Sequence, residues 1–514
     1  MTIRVGEPLT LEDIEAVAGG APVVFDADAR ARTRAARDVI VRAVAAGHTM
    51  YGVTTGFGAL ADTTIDPSQA AELQHGIIAS HATAVGQPLA RDEARAMLLL
   101  RAHVLALGHS GVRPEVVDLM VAMLNRDVVP VVPQQGSLGA SGDLAPLAYL
   151  ALPIIGHGEV LTDAGGREPS PLAFAREGLA PLALEAKEGL ALVNGTQGML
   201  AIGALALRRA ELLARTADVV AAMTIEAILG TDAPFDERLQ ALRPHPGQVT
   251  SAANLRRLLA GSAIRESHRD SGHAVQDAYS LRCTPQVHGA TRDTCTHVRG
   301  VLTIEANAVS DNPIVLPGAT HDLDEVRSGG NFHGMPVAVA LDALALSLVS
   351  LASISDRRLY RLLDPKSSNG LPPFLVPESG LNSGFMIVQY TGASLVSECK
   401  SLAHPASVDS IPSSAGQEDH VSMGMTAARH ARDIAANTET VLALEALGAA
   451  QALDLRSPLA PGAATRSVVD VLRAAVPFVE HDRELGPDIE AALGLVRTGA
   501  LVAAAEAVIG PFDD

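Results

Sequence analysis

Long stretches of alanine, leucine and valine, separated by glycine- and proline-rich segments, dominate the pattern of apolar and polar positions along the chain. One such stretch begins at Pro336, a residue that favours the first turn of a helix, and it predicts a helix to about Leu363. Two others predict helices over residues 199–229, closed by Gly230, and over residues 423–455. All three are longer and more apolar than a surface helix needs, so we expect burial in a bundle or at a subunit interface.

Strand patterns are short and few. The best alternating segments are residues 3–5, 23–25 and 314–316. Glycine and proline cluster instead between the helical stretches, at residues 51–58, 133–146, 194–198, 328–336 and 366–384. We therefore predict a mainly α fold with a long-helix bundle core, a smaller loop-rich N-terminal portion and few short strands. The loop-rich portion covers about residues 1–200, and the central bundle and C-terminal helices cover about residues 200–514 of one continuous chain.

Composition and charge narrow the class of partner. With 514 residues, 48% of them hydrophobic, the chain is long and apolar enough for a large buried core. Its formal net charge of -19 argues against nucleic acid or an anionic membrane as a partner, because the surfaces that bind them are basic. We therefore expect a small-molecule partner.

Three further features concern the setting in which the protein works. The amino terminus lacks a charged region followed by an apolar core, which argues against a secretory signal. The most apolar stretches, residues 190–207 and 336–354, are interrupted by polar side chains, which argues against a membrane span. The three cysteines lie far apart, without the spacing of a disulfide framework or a zinc site. We expect a cytoplasmic, reducing setting and no bound metal.

The segment GSLGASGDLAPL, residues 136–147, fits neither a helix nor a strand pattern at its start. It lacks the Gly-Lys-Ser/Thr of a phosphate-binding loop, and Ser141 lacks the Gly-x-Ser-x-Gly context of an esterase nucleophile. The chain also has no His-Glu-x-x-His pair of a metalloprotease. The side chains of this segment are small, and glycine has no Cβ to clash, so the backbone can fold tightly onto itself.

Other polar and aromatic residues also fall in segments between helices. They are Tyr51 in YGVTTGFG, Ser80 and His81 in ASHATAVG, Asn194 in NGTQ, Gln276, Tyr279 and Arg282 in QDAYSLR, Asn312 in SDNP, Phe332 in GGNFHG, and Gln417, Glu418 and His420 in QEDH. Each alone has a structural interpretation as a helix cap or an ion pair, and His420 is interpreted as structural. The occurrence of all of them together in segments between helices is harder to explain by caps and ion pairs alone.

These segments resemble those of the aromatic amino acid ammonia-lyases, from YGVTTGFG at Tyr51 to QEDHVSMG at Gln417. In that family the tripeptide matching Ala140-Ser141-Gly142 cyclises by itself, with loss of two waters, to an electrophilic methylideneimidazolone. The amide nitrogen of Gly142 has to reach the carbonyl of Ala140, which small side chains permit. The resemblance thus implies a built-in prosthetic group that makes the substrate amine a better leaving group, with no external cofactor.

The resemblance also implies roles for the other residues. Tyr51 and Tyr279 are the candidates for removing the β-proton, and Tyr51 is favoured because glycines flank its loop. Arg282 is expected to bind the substrate carboxylate in a bidentate manner, through two parallel hydrogen bonds. The remaining matches are expected to hold the carboxylate, the amine or the prosthetic carbonyl, or to pack beside the substrate; they are Asn194, Gln276, Asn312 and Phe332.

Substrate choice depends on Ser80, His81 and Glu418, which follow the histidine-specific pattern of the family. A carboxylate can accept an imidazole N–H, whereas a phenyl ring would leave it without a partner. We therefore expect conversion of L-histidine to trans-urocanate and ammonia. The resemblance also implies a homotetramer with sites shared between subunits. The alternatives are a tyrosine or phenylalanine ammonia-lyase or an aminomutase on the same scaffold and, more distantly, a non-catalytic helical assembly protein.

Four residues depart from the family pattern. Tyr149 stands where histidine is more usual, and His288 stands where an apolar residue is frequent. Gly334-Met335 follows Asn-Phe-His where many bacterial members have Ala-Glu. These departures leave the reaction class intact and bear on the choice of substrate.

Overall fold

A computed structural model of the chain, which describes residues 2–163, 165–270, 275–318, 320–321 and 324–512, confirms the three long helices. They span Gln197–Ala227, Met335–Leu363 and Gly424–Leu455. Each begins and ends within about two residues of the predicted bounds, because proline, glycine or a polar loop segment stops the apolar pattern there. A fourth long helix, Thr284–Ala306, contains more polar residues. The fold is mainly α.

The chain forms two compact units, each built from segments that are distant in sequence. Unit 1 comprises Met1–Arg208, Arg299–Asp342 and Pro405–Arg429. Unit 2 comprises Arg209–Val298, Ala343–His404 and His430–Asp514.

Unit 1 contains shorter helices and small sheets. Its helices that lie wholly within the unit are Leu11–Ala18, Ala27–Ala45, Ala70–His81, Arg91–Ala106, Pro114–Asn125, Leu144–Ala151, Ser170–Glu177 and Glu188–Val193. Its strands pair as two-stranded sheets: Ile3–Arg4 with Val23–Val24 in parallel, and antiparallel Val85–Pro88 with Pro133–Gln135, Glu159–Leu161 with Arg167–Pro169, and Ile314–Leu316 with Glu325–Arg327. The three predicted strands are confirmed, and the others are too short to give an alternating pattern.

Several helix ends of unit 1 place polar residues around the predicted tripeptide. Helix Ala70–His81 ends at His81, helix Leu144–Ala151 begins after Asp143, and helix Glu188–Val193 ends at Asn194. Backbone hydrogen bonds hold the neighbouring loops together, because the amides of Ser422 and Met423 both donate to the Leu138 carbonyl, at 3.2 and 2.9 Å. Helix ends carry unpaired backbone groups, so they are suited to hold polar ligands.

Unit 2 is a helical assembly. The helices that lie wholly within it are Glu237–Ala241, Pro246–Leu258, Ala263–Glu266, Tyr279–Arg282, Met386–Leu402, Ala463–Ala475, Gly486–Arg497 and Ala500–Ile509. Ala352, Val396 and Val441 form an apolar cluster between three of its long helices. All three cysteines, Cys283, Cys295 and Cys399, are free thiols, as their spacing predicts.

A series of buried, hydrogen-bonded charged side chains lies in the core of unit 2. Asp218 accepts hydrogen bonds from His288 Nδ1 and Arg292 Nη2, each at 2.8 Å. His288 Nε2 lies 3.3 Å from Arg358 Nη1, and Arg358 binds both oxygens of Glu445 at 2.6 and 2.9 Å. His288 is thus held as the tautomer that donates from Nδ1 and accepts at Nε2. The unusual histidine is therefore a link between two buried ion pairs.

Helix Met335–Leu363 has the length and composition of a membrane-spanning helix, and so does the bent pair Gly486–Arg497 and Ala500–Ile509 taken together. In Met335–Leu363, however, 61% of the most apolar stretch is buried inside the protein. Burial of this kind is typical of a core helix, which satisfies the same length and composition criteria.

Candidate active site

The Ala140-Ser141-Gly142 tripeptide lies in the loop before helix Leu144–Ala151, where its backbone is pressed against another loop. Gly142 has a φ of +76°, in the left-handed region that favours glycine. A Cβ at this position would approach the Gly195 carbonyl oxygen far more closely than 3.0 Å, which Cβ atoms essentially never do. The same oxygen accepts a 2.7 Å hydrogen bond from the Asp143 amide. Only glycine fits position 142.

Ser141 is held at both of its oxygens. Its hydroxyl donates to Glu418 Oε1 at 2.6 Å, and its carbonyl accepts from Asn194 Nδ2 at 3.1 Å. Glu418 is fixed in turn, because its other oxygen accepts a 2.8 Å hydrogen bond from the Ser413 hydroxyl. The Oδ1 atom of Asn194 is buried and has no partner among the described residues. These contacts join the predicted prosthetic segment to two predicted substrate residues.

A cavity of about 240 Å³ opens beside the tripeptide, and six of the predicted site residues line it. They are Ser80, His81, Ala140, Ser141, Gly142 and Glu418. Burial lowers the pKa of His81, and the charge of Glu418 opposes that shift. The Ser80 hydroxyl lies 3.1 Å from His81 Nδ1. The cavity thus combines a neutral imidazole, hydroxyl groups and one carboxylate.

Tyr51 lies in a turn of unit 1 whose neighbouring residues touch the loop before Glu418. The Gly58 amide donates to the Tyr51 phenol oxygen at 2.9 Å, and the Phe57 ring meets the Tyr51 ring edge-on at 6.5 Å. The amide of Ala59 lies 3.3 Å from the Ser414 hydroxyl. Tyr51 is half-buried and is not among the residues that line the cavity.

Asn312 and Phe332 also lie in unit 1, outside the lining of that cavity. Asn312 is buried, and its Oδ1 accepts from the Gly329 amide at 2.8 Å. Phe332 is half-buried. Next to it, a Cβ on Gly334 would lie 2.5 Å from Met199 Cε and 2.9 Å from the Ser422 hydroxyl. An alanine at this position would therefore require the Met199 side chain to shift.

The remaining predicted residues belong to unit 2, where they contact one another. Arg282 donates to Gln276 Oε1 at 2.9 Å, and its guanidinium lies 4.3 Å above the Tyr279 ring. Gln276 and Arg282 line a second cavity, of about 510 Å³, and Tyr279 is 71% exposed. The Nε atom of Arg282 is buried without a partner in the part of the chain that the structure describes. This group therefore forms a second cluster with donors available to an anion.

Two residues beside the tripeptide were not predicted from the sequence. Asp143 is fully buried, and burial raises its pKa to about 6, against hydrogen bonds from the Met199 amide and the Ser137 hydroxyl. An aspartate directly before an apolar helix is a cap signal, which could have indicated it. Arg101 lies in helix Arg91–Ala106, where all residues from Glu93 to Ala106 are buried. A lone arginine in LLLRAHVLAL is the signal that could have identified it.

The arrangement fits a cyclised tripeptide. The turn at Gly142 is already folded back, the small side chains leave the flanks open, and the Asn194 amide is bound to the Ser141 carbonyl oxygen. The Ser141 hydroxyl donates to the Glu418 carboxylate, so a group that can exchange a proton lies beside the oxygen that would leave as water. The residues that would hold the group are Asn194 and Gly195 on one side and Glu418 on the other.

Comparison with known proteins agrees with this arrangement. The family model described as "Aromatic amino acid lyase" matches residues 9–474. A protein named histidine ammonia-lyase from Sorangium cellulosum is 54% identical over 513 residues, covering 99% of both chains. Another of that name from an Anaeromyxobacter species is 55% identical over 504 residues, covering 96% of this chain and 98% of its own.

Two solved structures share the fold. The crystal structure of histidine ammonia-lyase from Trypanosoma cruzi has a TM-score of 0.91 and 43% identity, covering 99% of this chain and 96% of its own. The tyrosine aminomutase of Streptomyces globisporus has a TM-score of 0.93 and 38% identity, covering 99% of both chains. From the family match and these full-length similarities, the chain belongs to the aromatic amino acid lyase family.

Proposed function

We propose that this chain is a carbon–nitrogen lyase that converts L-histidine to trans-urocanate and ammonia. The observation that carries the proposal is the contact between Ser141 and Glu418, which puts a carboxylate next to the reactive tripeptide in a small cavity. The similarity to proteins named histidine ammonia-lyase, at 54 and 55% identity over almost the whole chain, supports the same substrate.

The prosthetic group proposed for this site is a methylideneimidazolone made from Ala140, Ser141 and Gly142. When formed, it supplies an electrophile for the substrate amine, which otherwise leaves poorly. The chain contributes the positioning: Asn194 holds the Ser141 carbonyl oxygen, and the Gly195 backbone supports Gly142 from behind. No external cofactor is needed for this chemistry.

Glu418 is proposed to recognise the imidazole of the substrate. The Ser413 hydroxyl fixes one of its oxygens, and the other points into the cavity toward Ser141. A carboxylate at this place accepts an imidazole N–H, while an aromatic hydrocarbon ring offers no donor to the oxygen that faces the cavity. His81 and Ser80 add polar groups on the facing wall. The cavity is thereby better matched to histidine than to phenylalanine.

Tyr51 is proposed to remove the β-proton. Its phenol oxygen accepts the Gly58 amide at 2.9 Å, and an N–H directed at that oxygen stabilises negative charge on it. Glycines at positions 52, 56 and 58 flank the loop, which suits a segment that closes over substrate. Tyr279 is the second candidate for the same step.

Arg282 is proposed to bind the substrate carboxylate, together with Gln276, and Asn312 and Phe332 to complete the substrate contacts. The planar guanidinium matches a carboxylate with two parallel hydrogen bonds, and its Nε has no partner among the described residues.

The family resemblance implies a homotetramer with shared sites, and the exposed Tyr279 is accessible to a second copy. Exposed apolar side chains on long helices, among them Leu346, Ile387 and Tyr390, support assembly. The free cysteines support a cytoplasmic setting.

An aminomutase is the second candidate, because the tyrosine aminomutase of Streptomyces globisporus shares this fold with a TM-score of 0.93. The deciding experiment incubates the purified protein separately with L-histidine, L-tyrosine and L-phenylalanine, and follows ultraviolet absorbance, free ammonia and β-amino acid. We expect urocanate and ammonia in equal amounts, with histidine the best substrate by kcat/KM. Faster deamination of tyrosine or phenylalanine, or formation of a β-amino acid, contradicts the proposal.

A further inference from the structure

Arg101 is a fully buried arginine that contacts the backbone behind the tripeptide. Its Nη1 donates to the Asn194 carbonyl oxygen at 2.9 Å and to Gln197 Oε1 at 2.7 Å. Its Nη2 donates to the Ala191 carbonyl oxygen. These acceptors lie at the end of helix Glu188–Val193 and in the turn that follows, where carbonyl groups lack helical partners. One side chain therefore fixes the whole turn.

The contacts of Arg101 differ from those of an ordinary buried ion pair. Its acceptors are two backbone carbonyls and an amide, and burial lowers its pKa to about 10, with Asp311 opposing the shift. Asp311 already binds Lys187 Nζ at 2.9 Å, and that pair is fully buried. A buried cation that lacks its own bound carboxylate costs stability relative to an apolar side chain. Stability alone therefore gives no account of an arginine here.

The turn that Arg101 holds is the turn that touches the tripeptide. Asn194 Nδ2 donates to the Ser141 carbonyl oxygen, and the Gly195 carbonyl oxygen accepts from the Asp143 amide. A Cβ on Gly195 would lie 2.5 Å from Arg101 Nη1, so the backbone there is packed directly on the guanidinium. The turn therefore has Arg101 on one side and the tripeptide on the other.

We propose that Arg101 is a positioning residue for the cyclisation of Ala140-Ser141-Gly142, an inference that rests on the proposed function. In this step the Gly142 nitrogen bonds to the Ala140 carbonyl carbon. The Ala140 oxygen leaves as water with the amide hydrogens of Gly142 and Ser141. A second water takes the Ser141 hydroxyl and its Cα hydrogen, so no further reactant is needed. Arg101 touches none of these atoms and acts by holding the turn at Asn194 and Gly195 against which the ring closes.

The test follows the mass of the intact protein after a short expression pulse, with circular dichroism on the same samples. The variants are Arg101→Met, which removes all donors, and Arg101→Lys, which keeps the charge without the planar fork. The wild-type protein is expected to become two waters lighter. For Arg101→Met we expect folded protein that loses these waters at least tenfold more slowly, and for Arg101→Lys an intermediate rate.

Arg358→Met is the matched control, because Arg358 is equally buried but binds Glu445 in unit 2. It is expected to lower stability while its folded fraction loses both waters at the wild-type rate. If Arg101→Met does not fold, Arg101→Lys carries the prediction, since it keeps a cation but cannot bind the Ala191 carbonyl, the Asn194 carbonyl and the Gln197 amide together.

The outcomes separate the two proposals. A wild-type protein that keeps its full mass contradicts the proposed function. A wild-type protein that loses two waters, with soluble Arg101→Met protein, or Arg101→Lys protein where Arg101→Met does not fold, losing them equally fast, overturns the role of Arg101 alone. Equal slowing in Arg358→Met also overturns it, because the effect would then follow from lost stability.

Discussion

The hydroxyl of Ser141 donates a 2.6 Å hydrogen bond to Oε1 of Glu418, a residue 277 positions further along the chain. The contact ties the segment that is expected to cyclise to the residue that is expected to select the substrate. Any change at Glu418 therefore has two separable consequences, one for substrate recognition and one for Ser141.

Glu418→Gln is expected to impair turnover of histidine while the tripeptide still cyclises, because the amide oxygen can accept the Ser141 hydroxyl. The neutral amide oxygen makes a weaker hydrogen bond to the imidazole than a carboxylate does, by about 1–1.5 kcal/mol, so kcat/KM should fall roughly tenfold. Urocanate absorbance measures the rate, and intact mass reports cyclisation. Asp419→Asn, at the neighbouring exposed carboxylate, is the control and should leave kcat/KM unchanged. An unchanged kcat/KM in Glu418→Gln contradicts the assignment.

Tyr51→Phe is expected to lower kcat by about 10²–10⁴-fold, the usual contribution of a general base, without changing the mass of the mature protein. Rapid mixing with L-histidine followed by absorbance gives the rate. The same substitution at Tyr279 compares the two candidates, and Tyr360→Phe, at a half-exposed tyrosine elsewhere, controls for loss of a hydroxyl. Full turnover by a cyclised Tyr51→Phe protein would transfer the role to Tyr279.

Gly142→Ala is expected to block cyclisation, because its Cβ would overlap the Gly195 carbonyl oxygen. Gly47→Ala is a close control: Gly47 has a φ of +75°, against +76° at Gly142, but a Cβ there meets nothing within 4 Å. The control should lose only the roughly 1–2 kcal/mol of a left-handed alanine and mature normally. Intact mass and urea unfolding distinguish the two variants. Normal maturation of Gly142→Ala would show that the two loops do not meet as described.

Asp218→Asn is expected to lower the free energy of unfolding by about 3–5 kcal/mol at neutral pH, because it leaves Arg292 and His288 without their buried partner. Burial raises the pKa of Asp218, but Arg292 and His288 together hold it down to about 2. A lowered pKa gives stability that is present above the ordinary value near 4 and is lost as the pH falls toward 2. Wild-type stability should therefore fall more steeply over that window than that of the variant.

Urea midpoints between pH 7 and pH 2 measure this difference. Asp236→Asn is the control, since the pKa of Asp236 is also lowered to about 2, mainly by Arg238, but on the surface, where an ion pair contributes little. A similar loss of the free energy of unfolding in Asp218→Asn and Asp236→Asn would contradict the prediction, because burial would then add nothing to the stabilisation by Asp218.

Much of the fold could be predicted because the long helices of this chain carry continuous apolar patterns with clear stops. Met335–Leu363 and Gly424–Leu455 were predicted almost to the residue, and three strands were predicted at their observed positions. The two-unit division could not be predicted, because segments such as Pro405–Arg429 join their unit only through tertiary contacts. Periodicity reports which face of an element is buried but not which distant segment covers it.

The site was predictable as a set of residues and not as a geometry. Ser80, His81, Glu418 and the tripeptide were all predicted, and the structure places them around one cavity. Asp143 and Arg101 were missed, because each acts through backbone groups that only the folded chain brings near. The roles of Arg282 and Tyr279 stay predictions, since these residues form their own cluster in unit 2.

The link that His288 makes between Asp218 and Arg358 restricts how the core of unit 2 can change. An apolar residue at position 288 would remove one hydrogen-bond donor from Asp218 and the neighbour of Nη1 from Arg358, which leaves two buried charges with fewer partners. We therefore expect related chains to inherit these positions as a set, with an apolar residue at 288 accompanied by compensating replacements at 218 or 358. Substitutions at Asp218, His288, Arg358 and Glu445 are then expected to occur together.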